Sequence, residues 1–212
     1  MEKVRYGELP TSLGTFEVDC KEMMFYQYLP IKLAGQMEAI WEDRLNPFSE
    51  LIEKCIWNFA YNFGNDNLDA SNVYLTVKHL YQAEGCSFNR DGWHSDGFMT
   101  DDINYIWSNN NGTIFNHSPF ELTQDHKISI EEMSAQAIPD LDYQYQECEL
   151  LRLDQFNIHK VAYIAKPTMR TFFKLSFSPD KYNLVGNSHN YLLDYNWEMK
   201  DRNIERNHPI AK

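Results

Sequence analysis

Residues 73–81, VYLTVKHLY, open the part of the chain that decides its fold: directly after Asn72 the sequence turns to β-branched and aromatic residues at strand density. Three further runs, NRDGWHSDGF (89–98), INYIWSNNNGTIFN (103–116) and ECELLRLDQFNIHKVAYI (147–164), repeat that texture between clusters of turn-forming residues. Ser-Asn-Asn-Asn-Gly at 108–112 predicts a hairpin between strands at 103–107 and 113–116, because Asn and Gly tolerate positive φ. Residues 162–177 predict a strand, a turn at Ala165-Lys166-Pro167-Thr168, and a second strand paired with the first.

Upstream, NPFSELIEKCIWNFAYNFG (46–64) has the marks of a helix: Asn46 as cap, Pro47 at the first helical position and Gly64 as stop. Phe48, Leu51, Ile52, Cys55, Ile56, Phe59 and Phe63 recur at helical spacing and predict one face packed on a sheet. A shorter helix is expected over 33–44, where Leu33, Met37, Ile40 and Trp41 form a stripe. Helices first and many short antiparallel strands afterwards predict an α+β, mainly β fold, a jelly roll buttressed by N-terminal helices. At 212 residues the chain is expected to form one domain: an N-terminal segment 1–70 with supporting helices, a jelly-roll core 71–180 and an extension 181–212 whose polar end, 196–212, has little to bury.

The net charge of -12 disfavours a protein that coats duplex nucleic acid, since phosphate binding needs clustered Lys and Arg. Locally, residues 152–181 are basic, with Lys160, Lys166, Arg170 and Lys174, so an anionic ligand is compatible with this stretch. The four cysteines form no CxxC pair, which argues against a zinc ribbon or a dithiol redox site. No run of eighteen apolar residues offers a membrane span and MEKVRYGELP is not a signal peptide, so the expected location is cytoplasmic.

The chemistry gathers at His94-Ser95-Asp96. Residues two apart in an extended segment project to one side, so an imidazole and a carboxylate can meet on one ion, with Gly97 turning the chain afterwards. His159, late in the predicted sheet, supplies a second imidazole. Two imidazoles and one carboxylate leave half the coordination sphere of a ferrous ion open. Arg170 follows eleven residues after His159, across the predicted turn; antiparallel pairing would bring its guanidinium near the metal, where it suits a carboxylate. Each residue alone has a bland reading: a loop histidine bonded to its neighbour, a core histidine, a surface arginine. Their order and spacing carry the argument.

Those four positions resemble the Fe(II)/2-oxoglutarate-dependent dioxygenase superfamily, over residues 73–178. The resemblance implies a double-stranded β-helix, iron on His94, Asp96 and His159, and the far carboxylate of 2-oxoglutarate on Arg170. It also implies use of O2, with hydroxylation of a C–H bond and release of succinate and CO2. Where members often carry a hydroxyl two residues after the arginine this chain has Phe172, so Thr171 or Tyr81 is the expected second contact. Trp93 and Tyr105 are candidate pocket residues. A small molecule or nucleotide is the expected substrate, a nucleobase within nucleic acid the alternative; a non-catalytic jelly roll that binds a metal or ligand is the competing class.

Overall fold

The computed structural model describes residues 3–86 and 91–202; the end of the polar tail, 203–212, lies outside them. The described chain is mainly β, with strands β1 (Lys3–Tyr6), β2 (Thr11–Thr15), β3 (Met24–Lys32), β4 (Asn72–Gln82), β5 (Ile103–Ser108), β6 (Ile114–Asn116), β7 (Phe120–Thr123), β8 (Asp142–Gln144), β9 (Glu149–Leu153), β10 (His159–Lys160) and β11 (Thr168–Ser178). Helices α1 (Ser49–Phe63), α2 (Asn65–Ala70) and α3 (His126–Gln136) complete it. All the paired strands run antiparallel, in a six-stranded sheet ordered β2-β9-β5-β11-β4-β3, a three-stranded sheet β10-β6-β8 and the pair β1-β7.

The central strand β11 decides which side chains share a face, because it pairs without a slip with β4, from Thr168 opposite Gln82 to Ser178 opposite Asn72, and with β5. Alternation then sends Phe173, Leu175 and Phe177 to one side with Val73, Leu75, Val77, Tyr105 and Trp107. These residues pack against α1 in the main core, where Phe177 stacks on Phe59 at 4.2 Å. Arg170, Phe172, Lys174 and Ser176 take the other side, together with Thr76 and Lys78 of β4 and Asn104 and Ile106 of β5. The small sheet covers part of this second face, with Phe115 of β6 packed against Ile106, Leu151 and Leu153.

Four local expectations are corrected. The helix at 46–64 starts later, at Ser49, because 43–48 form a 3-10 turn; Asn46 accepts from the Trp41 indole and is not free to cap. Its stop at Gly64, φ +90°, is where the sequence puts it. Residues 33–42 form turns and no helix: Met37 is 91 % exposed while Trp41 packs on the main core, so the expected stripe does not share one face, and Gly35 takes positive φ to donate to Asp69 O. The predicted 103–116 hairpin is absent, since β5 and β6 belong to different sheets. The asparagines between them instead extend the edge of β11: Asn109 exchanges bonds with Thr171, and Asn110 donates to Met169 O and accepts from Arg170 Nε. Finally, β10 does not pair with β11, because both edges of His159 are already taken by His94 and β6.

At the chain's end Lys200 is tied to Asn183 and Val185 by backbone bonds, so part of the polar tail is anchored. No helix among the described residues is long and apolar enough to cross a membrane.

Candidate metal centre

One backbone bridge assembles the site. His94 N–H donates to His159 O and His159 N–H to His94 O, both at 2.9 Å, so the two histidines face each other as a hydrogen-bonded antiparallel pair with ring centroids 4.5 Å apart. Asp96, two residues on, joins them: one ligand atom from each of His94, Asp96 and His159 lies within 4.8 Å of the others. Between them Ser95 turns away and donates to Gln155 O at 2.5 Å, pinning the extended segment.

The donor set fits a divalent metal. His94 Nδ1 lies 2.8 Å from Gly92 O and His159 Nδ1 3.0 Å from Asn157 O. A carbonyl only accepts, so each Nδ1 carries the hydrogen and each Nε2 keeps its lone pair for a metal, the orientation seen when histidines are preset as ligands. Burial pushes the Asp96 carboxyl up, but the Lys174 ammonium 2.7 Å away outweighs it and holds the group well below the usual carboxylate range. Asp96 is therefore ionised and ready to bind. Among the described residues no fourth Cys, His, Asp or Glu joins this group, and three ligands without a fourth are the pattern of an open site and not of a closed structural zinc.

Gly97 makes the turn that returns the chain after Asp96. Its φ is +73°, and a Cβ there would meet Thr100 Oγ1 at 2.9 Å and Asp102 Cβ at 3.1 Å. Gly97→Ala is therefore expected to cost about 1–3 kcal/mol of stability, read from the urea midpoint, and to loosen metal binding by moving the adjacent carboxylate.

The remaining site residues divide between the two faces of the large sheet. Arg170 is on the metal side, 2 % exposed, with Nε on Asn110 O and its guanidinium 5.1 Å from the Phe172 ring. Among the described residues no carboxylate pairs with it, and burial lowers its pKa to about 10. Thr171 and Tyr81 are on the opposite side, where Thr171 Oγ1 meets His79 Nδ1 and Tyr81 is 57 % exposed; neither reaches the site from there. Tyr105 likewise faces α1, fully buried, its hydroxyl on Asn58. Trp93 packs beside the cluster around Tyr6 and Phe98, with Lys160 4.0 Å above its ring. His126 and His189 pack on aromatic rings elsewhere, at Phe98 and Tyr195. Asp102 is buried and accepts from Tyr182.

Two lysines were not singled out as site residues from the sequence. Lys174 is two alternations beyond Arg170 and so shares its face, and Lys78 lies opposite Phe172 between them. Burial, then Arg170 and Lys174, lower the Lys78 pKa to about 8. Such a lysine costs stability while it is charged in both folded and unfolded chains. As pH rises from about 8 towards the ordinary lysine range, the unfolded chain holds the extra proton and that cost is relieved. Lys78→Met is therefore expected to be more stable than the parent at pH 7, with the gap narrowing by pH 10, as paired urea titrations would show.

No known family model matches the chain, and no curated protein matches it.

Proposed function

We propose that the chain is an Fe(II)- and 2-oxoglutarate-dependent oxygenase on a double-stranded β-helix. The observation that carries the reading is the pairing, on one sheet face, of a three-residue group that could hold a metal with a buried guanidinium that no carboxylate among the described residues neutralises. A buried cation without a counter-charge is costly, and a carboxylate ligand would offset that cost. Lys78 and Lys174 extend the same positive row towards Asp96.

In this reading Arg170 holds the far carboxylate of 2-oxoglutarate in a fork of parallel hydrogen bonds, with Lys78 adding charge beside it. Lys174 keeps Asp96 ionised and fixes its rotamer, while the carbonyls of Gly92 and Asn157 orient the imidazoles. Phe115, Ile106 and Phe172 form an apolar floor that excludes water. Ferrous iron, when bound, supplies the activation of O2 and the oxidative decarboxylation that yields succinate and CO2. The net charge of -12 favours a small molecule or nucleotide as the oxidised substrate over duplex nucleic acid.

The test is succinate formation from 2-oxoglutarate by the purified chain with Fe(II) and air. The reading expects iron-dependent succinate that a chelator stops; none at any iron concentration would refute it.

A further inference from the structure

A run of aromatic rings leads away from the metal centre to the surface. The Lys174 ammonium that contacts Asp96 also lies 5.6 Å from the centroid of Tyr28, a residue at φ +48° where the register of β3 against β4 shifts. Such a bulge re-aims a side chain. Tyr28 meets Tyr182 edge-on at 5.2 Å, Tyr182 stacks on Tyr74 at 4.2 Å, Tyr74 meets Trp197 at 6.2 Å and Trp197 meets Tyr195 at 4.7 Å. Trp197 and Tyr195 are half-buried, so the run reaches solvent.

Proton chemistry singles out one ring. Tyr182 donates its hydroxyl to Asp102 Oδ2 at 2.7 Å, and Asp102 is 6 % exposed, its Oδ1 without a hydrogen-bond partner among the described residues. A buried carboxylate oxygen left unpaired costs about 1–3 kcal/mol. Tyr74, by contrast, donates to the backbone oxygen of Asp180, which cannot keep a proton. A phenol gives up an electron readily only when its proton has somewhere to go, which makes Tyr182 a station and Tyr74 a bridge.

We propose that Tyr28, Tyr182, Tyr74 and Trp197 form an electron relay that, on the oxygenase reading, drains an oxidising equivalent stranded at the metal when O2 is reduced without substrate. One electron passes from Tyr182 by way of Tyr28 to the oxidised metal centre, which is reduced by one. The phenolic O–H bond breaks, its proton moves to Asp102 Oδ2, and a tyrosyl radical remains. An electron from Trp197 crosses Tyr74 to Tyr182 and the proton returns from Asp102. Trp197, at the surface, releases its own proton to water, then regains both from an external one-electron donor of the thiol or ascorbate class.

Freeze-quenched electron paramagnetic resonance tests this, with Fe(II), 2-oxoglutarate and O2 but no other substrate, and with succinate measured in parallel. A tyrosyl signal is expected in the parent and its loss in Tyr182→Phe and Asp102→Asn. Because those changes disturb a buried pair, the half-buried Trp197→Phe carries an independent arm: its tyrosyl signal should outlast the parent's, with inactivation after fewer turnovers. Succinate without a tyrosyl signal, a signal kept in folded Tyr182→Phe, or an unchanged lifetime in Trp197→Phe would each overturn the relay alone. Absence of succinate would overturn the oxygenase reading and the relay with it.

Discussion

Asp96→Ala is expected to abolish tight Fe(II) binding, weakening it by more than about 100-fold, since removing even a residue behind a ligand costs 10–100-fold. The same change strands Lys174, which is buried against that carboxylate, so the apo protein should also lose about 3–5 kcal/mol of stability. The two effects separate in the double variant Asp96→Ala/Lys174→Met. Replacing both members of a buried pair by groups of similar shape is often neutral, so folding should return while iron binding should not. Anaerobic competition against a chromophoric chelator measures the first effect and a urea midpoint the second. Tight iron binding by folded Asp96→Ala would show that the carboxylate is not a ligand.

Arg170→Ala is expected to leave iron binding intact and to raise the KM for 2-oxoglutarate by about 30-fold or more, because truncating one side of a buried charged pair costs about 2–5 kcal/mol. Arg170→Lys should recover only part of that, since an ammonium cannot reproduce the flat fork that grips both carboxylate oxygens. Initial rates of succinate formation over a range of 2-oxoglutarate concentrations, with iron saturating, decide this. An unchanged KM would move the anchor elsewhere on the same face, to Lys78.

How far the sequence discloses these features follows from what each one depends on. The existence of strands at β4 and β11 and the helix stop at Gly64 rest on short-range signals, alternation and a positive φ, and were legible, whereas the pairing of those two strands was not. Also legible was the His94, Asp96, His159 group, because extended geometry puts residues 94 and 96 on one side and His159 had strand context. Thr171 shows where local reasoning misled: next to Arg170 on a strand it must face the other way, and it bonds His79 on the helix side. Tyr81 and Tyr105 fall on that side as well, opposite Met169 and Leu175, which only the register reveals. By the same rule Lys174 shares the face of Arg170, a period-2 signal present in the sequence and left unused. The hairpin at 103–116 was unreadable for a different reason. Asn109 and Asn110 look like turn residues, yet their side chains complete the edge of a strand some sixty residues later.

The most direct test adds Fe(II) and 2-oxoglutarate to the apo protein without oxygen and records the visible spectrum. The account predicts a weak charge-transfer band from iron to a chelating keto acid in the parent, absent from His159→Gln. A spectrum that stays blank in the parent, or a band of equal strength in the variant, would contradict a ferrous centre built on these three side chains.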